Sequence, residues 1–233
     1  MARLEQAGSV VWPLALIFAT CLYAICIAVL SSGLSWDVPV SQLYFDATCT
    51  AENVRDCWLI SKENKVLTFW LHTLPSQSVV VFGIICISGI IVAIYLDKPR
   101  YMRLAAAILI GIALTPALIA ILKQFTGHYC PGQLALFGAH LKSSTLPRCF
   151  PASHPAPYFG LIALYFTRLP LLWRRIGLIA GLSIGALVSW LQIARGEHYL
   201  SHDIATLMTA TYIGVWAAFV DHLLKEYDAR FTR

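Results

Sequence analysis

Six long apolar runs limit what this chain can fold into more than any other feature of its sequence. A transmembrane helix needs about 20 apolar residues, because the hydrocarbon core of a bilayer is about 30 Å thick. Each run reaches or nearly reaches that length, so the runs predict six membrane-spanning helices. They cover approximately residues 11–32, 76–96, 103–122, 154–172, 176–194 and 203–224.

The composition agrees with a membrane location. Of the 233 residues, 58% are hydrophobic and 12% are charged, whereas a soluble domain carries about 25% charged residues. No small-residue cleavage site follows the first run, which we therefore interpret as a retained span rather than a signal peptide. The predicted fold is all-α: a polytopic membrane bundle of six transmembrane helices that forms a single domain over residues 1–233.

Lysine and arginine residues predict the orientation of the bundle. They cluster in the turn between spans two and three, in the turn between spans four and five, and in the C-terminal tail. Cytoplasmic loops carry an excess of these residues, so both termini are predicted to be cytoplasmic. The net charge of +5 is then a topology signal, and we predict no binding to nucleic acid. The residues concerned are Lys98, Arg100, Arg103, Arg168, Arg174, Arg175, Lys225, Arg230 and Arg233.

Four of the seven cysteines fall in segments on the opposite, non-cytoplasmic side. An even number of cysteines there predicts two disulfides in an oxidising compartment. The pairing that keeps each bridge within one outer segment is Cys49–Cys57 and Cys130–Cys149. Four reduced thiols are the alternative. The other three cysteines lie inside predicted spans, where a free thiol behaves as a small hydrophobic group.

Ionisable side chains gather in three short stretches on the same outer face. These are "KQFTGHYCP" at 123–131, "RCFPASHPA" at 148–156 and "QIARGEHYLSHD" at 192–203. Charged groups near the bilayer boundary are costly and are usually functional or paired. Each has an ordinary explanation when taken alone; Lys123, for example, would extend to the interface. The convergence of three clusters on one face favours a functional site.

The residue types in these clusters favour phosphate chemistry. Arginine binds phosphate bidentately, and lysine binds it as a point charge. A neutral histidine attacks phosphorus as a nucleophile, and a protonated histidine donates to the leaving oxygen. The sequence has neither a glycine-rich phosphate loop nor the paired carboxylates of a glycosidase. It therefore predicts a phosphoryl-transfer site that needs no metal and no other cofactor.

Taken together, the three clusters resemble the motifs of the type 2 phosphatidic acid phosphatase superfamily, which read K-x6-R-P, P-S-G-H and S-R-x5-H-x3-D. Lys123 and Pro131 match the first motif, Pro151 and His154 match the second, and His198 matches the third. The chain also resembles a bacterial subgroup with the patterns "HCP", "CFPAGHA" and "RGAHFLSH". The motif region, about 123–203, lies within a resemblance that covers roughly residues 75–220.

The resemblance implies a role for each matching residue. His198 attacks phosphorus and forms a phosphohistidine, and His154 protonates the departing lipid oxygen. Lys123 holds the phosphate together with Arg195, which lies three residues before the nucleophile as it does in the bacterial subgroup. Backbone N–H groups at the starts of spans four and six add further donors.

Five departures from the family pattern bear on the expected chemistry. In the family, the aspartate of the third motif orients the nucleophilic histidine; here a histidine stands in its place, and it cannot offset a positive charge. Asp203 and Glu197 are alternative carboxylates for that role. His128, His140, Lys142 and Arg148 are candidates to replace the missing arginine of the first motif. The departures are Cys130, Ala152, Ser153, Gln192 and His202.

The implied protein is an integral membrane phosphatase or phosphotransferase of lipid metabolism in the bacterial inner membrane. Its site faces the periplasm, its substrate is a lipid phosphate or pyrophosphate, and its surroundings are membrane lipids. Phosphatidic acid, phosphatidylglycerol phosphate, polyprenyl pyrophosphate and a lipid A phosphate all remain candidate substrates.

Two other functions stay open at this point. A catalytically inactive protein that binds lipid or a partner would explain the motif departures. A metal-dependent membrane hydrolase would use His198 and His202, whose spacing of four places them on one helix face, with Asp203 or His154 as a further ligand.

Overall fold

The computed structural model describes residues 2–49, 54–61, 65–69, 74–138 and 147–231. These residues form nine α-helices, three short 3-10 helices and an isolated bridge between Phe45 and Trp58, without a β-strand. The predicted all-α class is therefore confirmed. The α-helices are α1 Ala2–Ser31, α2 Asp37–Gln42, α3 Lys65–Thr68, α4 Leu74–Tyr95, α5 Pro99–Thr126, α6 Ala156–Gly160, α7 Ala163–Phe166, α8 Leu171–Ile193 and α9 Leu200–Phe231.

Four segments in the described part of the chain are long and apolar enough to cross a membrane: Val11–Ser31, Pro99–Phe137, Leu171–Ile193 and Leu200–Glu226. Val79–Tyr95 and Ala156–Phe166 are shorter apolar helical segments. Large apolar side chains on α1 and α4 remain exposed; Phe18, for example, is 71% exposed. Such surfaces are expected where helices contact lipid tails, so the chain is an all-helical membrane protein.

The predicted fourth span, 154–172, is not one long helix. It is divided into α6 and α7, and the two are joined by hydrogen bonds from Leu161 N to Tyr158 O (3.1 Å) and from Ile162 N to Phe159 O (2.9 Å). At about 1.5 Å per residue, the segment Ala156–Phe166 is about 16 Å long, roughly half the thickness of the hydrocarbon core.

Glycines allow this short segment to pack deep between its neighbours. A Cβ atom added at Gly111 of α5 would lie 2.0 Å from the carbonyl oxygen of Gly160, and one added at Gly160 would lie 2.2 Å from that of Gly111. Helices of membrane proteins commonly meet through such small residues. On the other side, three glycines spaced four apart on α8 contact side chains of the same segment: Gly177 against Leu164, Gly181 against Ile162 and Gly185 against Phe159.

Helix α9 lies against α1, α5, α6 and α7. Tyr23 of α1 stacks on Tyr212 of α9 with ring centroids 4.5 Å apart, and its hydroxyl lies 3.0 Å from Thr209 Oγ1. Near the C-terminal end of α9, the buried Asp221 accepts hydrogen bonds from Arg103 Nε and from the backbone N–H of Arg168, both at 2.7 Å. These contacts hold the middle and the C-terminal half of α9 in the bundle.

The Gly111–Gly160 contact gives a direct test of this packing. Gly160→Val places three carbons where the backbone of α5 already lies, so we expect a destabilisation of about 1–3 kcal/mol or more. Gly83→Val on α4 is the matched control, because a Cβ there meets nothing within 4 Å. Thermal melting of the two variants in detergent measures the difference. Equal melting temperatures would contradict the close approach of α5 and α6.

Candidate active site

Two histidines from different segments meet at one end of the bundle. His154 lies in the turn before α6, and His198 lies two residues before the start of α9. The His154 Nδ1 and His198 Nε2 atoms are 3.2 Å apart, so one ring nitrogen donates a hydrogen bond and the other accepts it. His198 is buried, whereas His154 is partly exposed. The second and third motifs therefore contact each other directly.

The other nitrogen of the His198 ring faces a sulfur atom. The distance from His198 Nδ1 to Cys149 Sγ is 3.3 Å, and Cys149 is bonded to Cys130. A disulfide sulfur has no proton, so it can only accept a weak hydrogen bond from Nδ1–H. No sequence pattern indicated this contact, because the expected partners of the ring were His202, Asp203 and Glu197.

Lys123 reaches the second motif from the last turn of α5. Its Nζ donates a hydrogen bond to Ser153 Oγ, 3.1 Å away, and Ser153 precedes His154. The helix ends at Gly127, whose left-handed conformation (φ +60°) turns the chain toward the outer face. Lys123 is also close enough to Glu197 for their charges to interact. The serine that replaces the family's glycine thus has a function here as the partner of the lysine.

Arg195 is a buried cation that uses only part of its hydrogen-bonding capacity within the described residues. It is only 4% exposed, and its Nη2 donates to Thr68 Oγ1 of α3 at 3.2 Å. Within the described ranges, its Nε and Nη1 atoms have no hydrogen-bond partner. Because a buried guanidinium with unused donors is costly, this side chain suits an anionic hydrogen-bond acceptor.

His202 and Asp203 point in different directions. The His202 ring packs edge-on against Phe150 and Tyr199, with centroids 5.2 and 5.3 Å apart, and its centroid lies 6.1 Å from that of His198. Asp203 is buried beside Ser189 of α8 and makes no hydrogen bond to His198. The structure therefore does not bring Asp203 to the nucleophile it was expected to orient.

Four other residues were predicted as phosphate ligands: His128, Arg148, His140 and Lys142. The His128 ring lies 5.4 Å from that of Phe150 and 6.0 Å from that of His202, and its carbonyl oxygen accepts the N–H of Cys149 at 2.9 Å. The Arg148 side chain is exposed. His140 and Lys142 lie outside the described residues.

Both predicted disulfides are present. The Cα atoms of Cys49 and Cys57 are 5.6 Å apart, and those of Cys130 and Cys149 are 5.2 Å apart. The second bridge joins the loop of the first motif to the segment that leads into the second. The predicted free cysteines Cys21, Cys26 and Cys86 are unbridged.

An outer carboxylate anchors the start of α9. Asp37 accepts hydrogen bonds from the Ser201 N–H (3.0 Å) and the Ser201 hydroxyl (2.6 Å), and a third from the Leu34 N–H (3.0 Å). A carboxylate suits the positive end of a helix. The Ser201 N–H, one of the backbone donors at the start of this helix, is thus occupied by Asp37. Burial, together with the charge of Asp37, raises the pKa of Tyr199 to about 12.

The loop before α9 is held from two further directions. Ile60 N donates to Ala194 O at 3.2 Å, and Gly132 N donates to Gly196 O at 2.8 Å. Gly196 has a positive φ of +67°, and a Cβ there would lie 2.3 Å from the ring of Trp58. Only glycine fits both the conformation and the space. No spacing in the sequence pointed to Asp37 or Trp58.

One group of potential metal ligands converges in the described part of the chain. The ligand atoms of Cys130, Cys149 and His198 lie within 4.8 Å of one another. The set proposed for a metal-dependent hydrolase, with His202 and Asp203, does not converge in this way.

Comparisons with protein-family models, with curated proteins and with solved structures found no match to this chain.

The anchoring role of Asp37 can be tested separately from chemistry. Asp37→Ala removes a buried acceptor from the first turn of α9, which we expect to cost about 1–2 kcal/mol and to speed amide exchange near Ser201. Asp46→Ala is the control, because Asp46 is an exposed outer carboxylate that contacts its neighbour Thr48. Hydrogen exchange measured by mass spectrometry distinguishes the two. Unchanged exchange in Asp37→Ala would show that α9 does not depend on this contact.

Proposed function

We propose that the chain is an integral membrane phosphatase that removes phosphate from a lipid phosphate or pyrophosphate, with His198 as its nucleophile. The observation that carries this proposal is the 3.2 Å contact between His154 Nδ1 and His198 Nε2. The contact joins two residues that match the superfamily's acid and nucleophile. Lys123 donates a hydrogen bond to Ser153, which precedes His154, and Arg195 lies three residues before His198.

The tautomer of His198 follows from its neighbours. A histidine that attacks through Nε2 must carry its proton on Nδ1, and in this site Nδ1 faces the Cys149 sulfur, a weak acceptor. His154 then donates its Nδ1 proton to His198 Nε2 in the resting state. A substrate phosphate has to enter between the two rings, and it thereby replaces this hydrogen bond.

The reaction takes place in two displacements. His198 Nε2 attacks phosphorus, the bond from phosphorus to the lipid oxygen breaks, and that oxygen takes its proton from His154. Water, deprotonated by His154, then attacks the phosphohistidine; the N–P bond breaks, and inorganic phosphate leaves. Lys123 and the free Nε and Nη1 donors of Arg195 offset the charge on the phosphate oxygens.

The family's third-motif aspartate is replaced here by His202. We expect its absence to lower the reaction rate without changing the reaction steps. Positive charge develops on the His198 ring during attack, and Asp203 faces Ser189 instead of that ring. We therefore expect slower phosphoenzyme formation than a histidine–carboxylate pair would give. The neutral partner at Nδ1 still fixes the ring orientation and its tautomer.

Exposed aromatic residues support a site at the membrane boundary. Phe125 and Tyr129 follow Lys123 closely and are 82% and 42% exposed, and Trp190 at the same end of α8 is 43% exposed. Aromatic side chains are enriched where a membrane meets water. We propose six crossings with both termini in the cytoplasm, so that a lipid presents its head group to His198 while its tails stay in the bilayer.

Phosphate release tests the proposed activity. The purified chain is assayed in detergent micelles with phosphatidic acid, phosphatidylglycerol phosphate, polyprenyl pyrophosphate and a lipid A phosphate. His198→Ala should lower turnover by at least about a thousandfold, because a nucleophile cannot be replaced by a weaker contact. His154→Ala should lower it about 10²–10⁴-fold.

His222→Ala is the matched control, because this histidine lies on α9 far from the site and pairs with Glu226. It should retain full activity. No release from any of the four lipids by the wild-type chain, or full activity of His198→Ala, would refute the proposal.

Reporter fusions test the orientation. In bacterial cells, an enzyme that folds only in an oxidising compartment should be inactive when fused after Arg233 and active when fused after Gly138. The basic residues in the inner turns predict this pattern. The reverse pattern, or activity at both positions, would contradict the proposed six crossings.

A further inference from the structure

The two sulfur atoms of the Cys130–Cys149 disulfide and the ring of His198 supply the types of ligand found in metal sites. Cys149 Sγ lies 3.3 Å from His198 Nδ1, and the ligand atoms of Cys130, Cys149 and His198 all lie within 4.8 Å of one another. In the oxidised chain the two sulfurs are bonded to each other. They are therefore not thiolates and do not bind a cation.

Reduction changes these atoms into ligands without moving the backbone far. In a tetrahedral zinc site, sulfur and nitrogen ligands lie about 3.6 Å apart and two sulfurs about 3.8 Å apart. The present distance from Cys149 Sγ to His198 Nδ1 is already 3.3 Å. Only the two sulfurs have to separate, and a modest rotation of the partly exposed Cys130 side chain achieves this.

We propose that Cys130, Cys149 and His198 form a thiol-gated site for a soft divalent cation such as Zn²⁺. A dithiol transfers two electrons to the disulfide and becomes a cyclic disulfide itself, which leaves two cysteine thiols. Zn²⁺ then displaces the two thiol protons and binds both thiolates and His198 Nδ1. The Glu197 carbonyl oxygen, 2.9 Å from Cys149 Sγ, or a water molecule takes the fourth position.

The surroundings are compatible with such a site. Cys149 is 1% exposed and His198 is 3% exposed, so the bound ion is shielded from water. Cys130 is partly exposed, which gives a reductant and a metal ion access to the bridge. Two thiolates neutralise the charge of Zn²⁺, so the nearby Lys123 does not repel the loaded site. Thiolate and imidazole ligands select Zn²⁺ over hard cations such as Mg²⁺.

Metal binding at His198 Nδ1 would also prevent His198 from acting as the nucleophile. This consequence rests on the proposed function. A metal ion on Nδ1 requires that nitrogen to be unprotonated, so a neutral ring carries its proton on Nε2. Nε2 is the atom proposed to attack phosphorus, and it has no lone pair in that tautomer. The oxidised chain is therefore the active form, and the reduced, zinc-loaded chain is inactive.

Zinc content tests the site independently of activity. The purified chain in detergent is treated with a phosphine reductant, freed of it under anaerobic conditions, mixed with ZnCl₂ and desalted. The reduced chain should retain one zinc ion per molecule, and the untreated chain should retain none. Co²⁺ in place of Zn²⁺ should give the thiolate charge-transfer band of a tetrahedral site.

The second disulfide supplies a matched control. Cys49→Ser/Cys57→Ser should bind zinc after reduction as the wild type does, whereas Cys130→Ser/Cys149→Ser should not. His198→Ala should weaken binding by at least about tenfold. A reduced wild-type chain that retains no zinc overturns the site, and so does zinc retention that depends on Cys49 and Cys57. Zinc uptake by the reduced chain, together with no phosphatase activity of the oxidised chain, would support this site while refuting the proposed function.

Discussion

The position of His198 depends on hydrogen bonds that hold the loop from Ala194 to Tyr199. Ile60 fixes the start of the loop through Ala194, and Gly132 fixes its middle through Gly196. Asp37 anchors the first turn of the helix that follows. These three donors and acceptors come from two outer segments far from the loop in sequence. His198 is therefore positioned by these connecting segments as well as by the long helices.

The same loop shows why the site lies at a boundary. Below it, glycine contacts bring α5, α6 and α8 close together, and apolar surfaces face outward. Above it, the two disulfides constrain the connecting segments. In the proposed function, a charged substrate group would reach Lys123 and Arg195 at this junction.

Helix positions and disulfide partners could be predicted because their signals are local. Apolar runs mark the helices, and the pairing within each outer segment gives Cys49–Cys57 and Cys130–Cys149. The division of 154–172 into two short helices was not predictable, since the apolar run carries no local signal for a break.

Contacts between segments that are far apart in the sequence could not be predicted either. The hydrogen bond from the Ser201 hydroxyl to Asp37 is an example. Asp203 was assigned to His198 from spacing alone. Successive residues on a helix point about 100° apart, so when His202 packs against Phe150, Asp203 faces α8.

The central claim is that His198 Nε2 forms a bond to phosphorus. The most direct measurement is a rapid-quench reaction of the oxidised chain with a ³²P-labelled lipid phosphate, stopped in alkali and followed by peptide mapping. The account predicts an acid-labile phosphohistidine at His198 that forms and decays at the rate of turnover and is absent from His198→Ala. A phosphohistidine at His202, or turnover with no phosphorylated histidine, would contradict it.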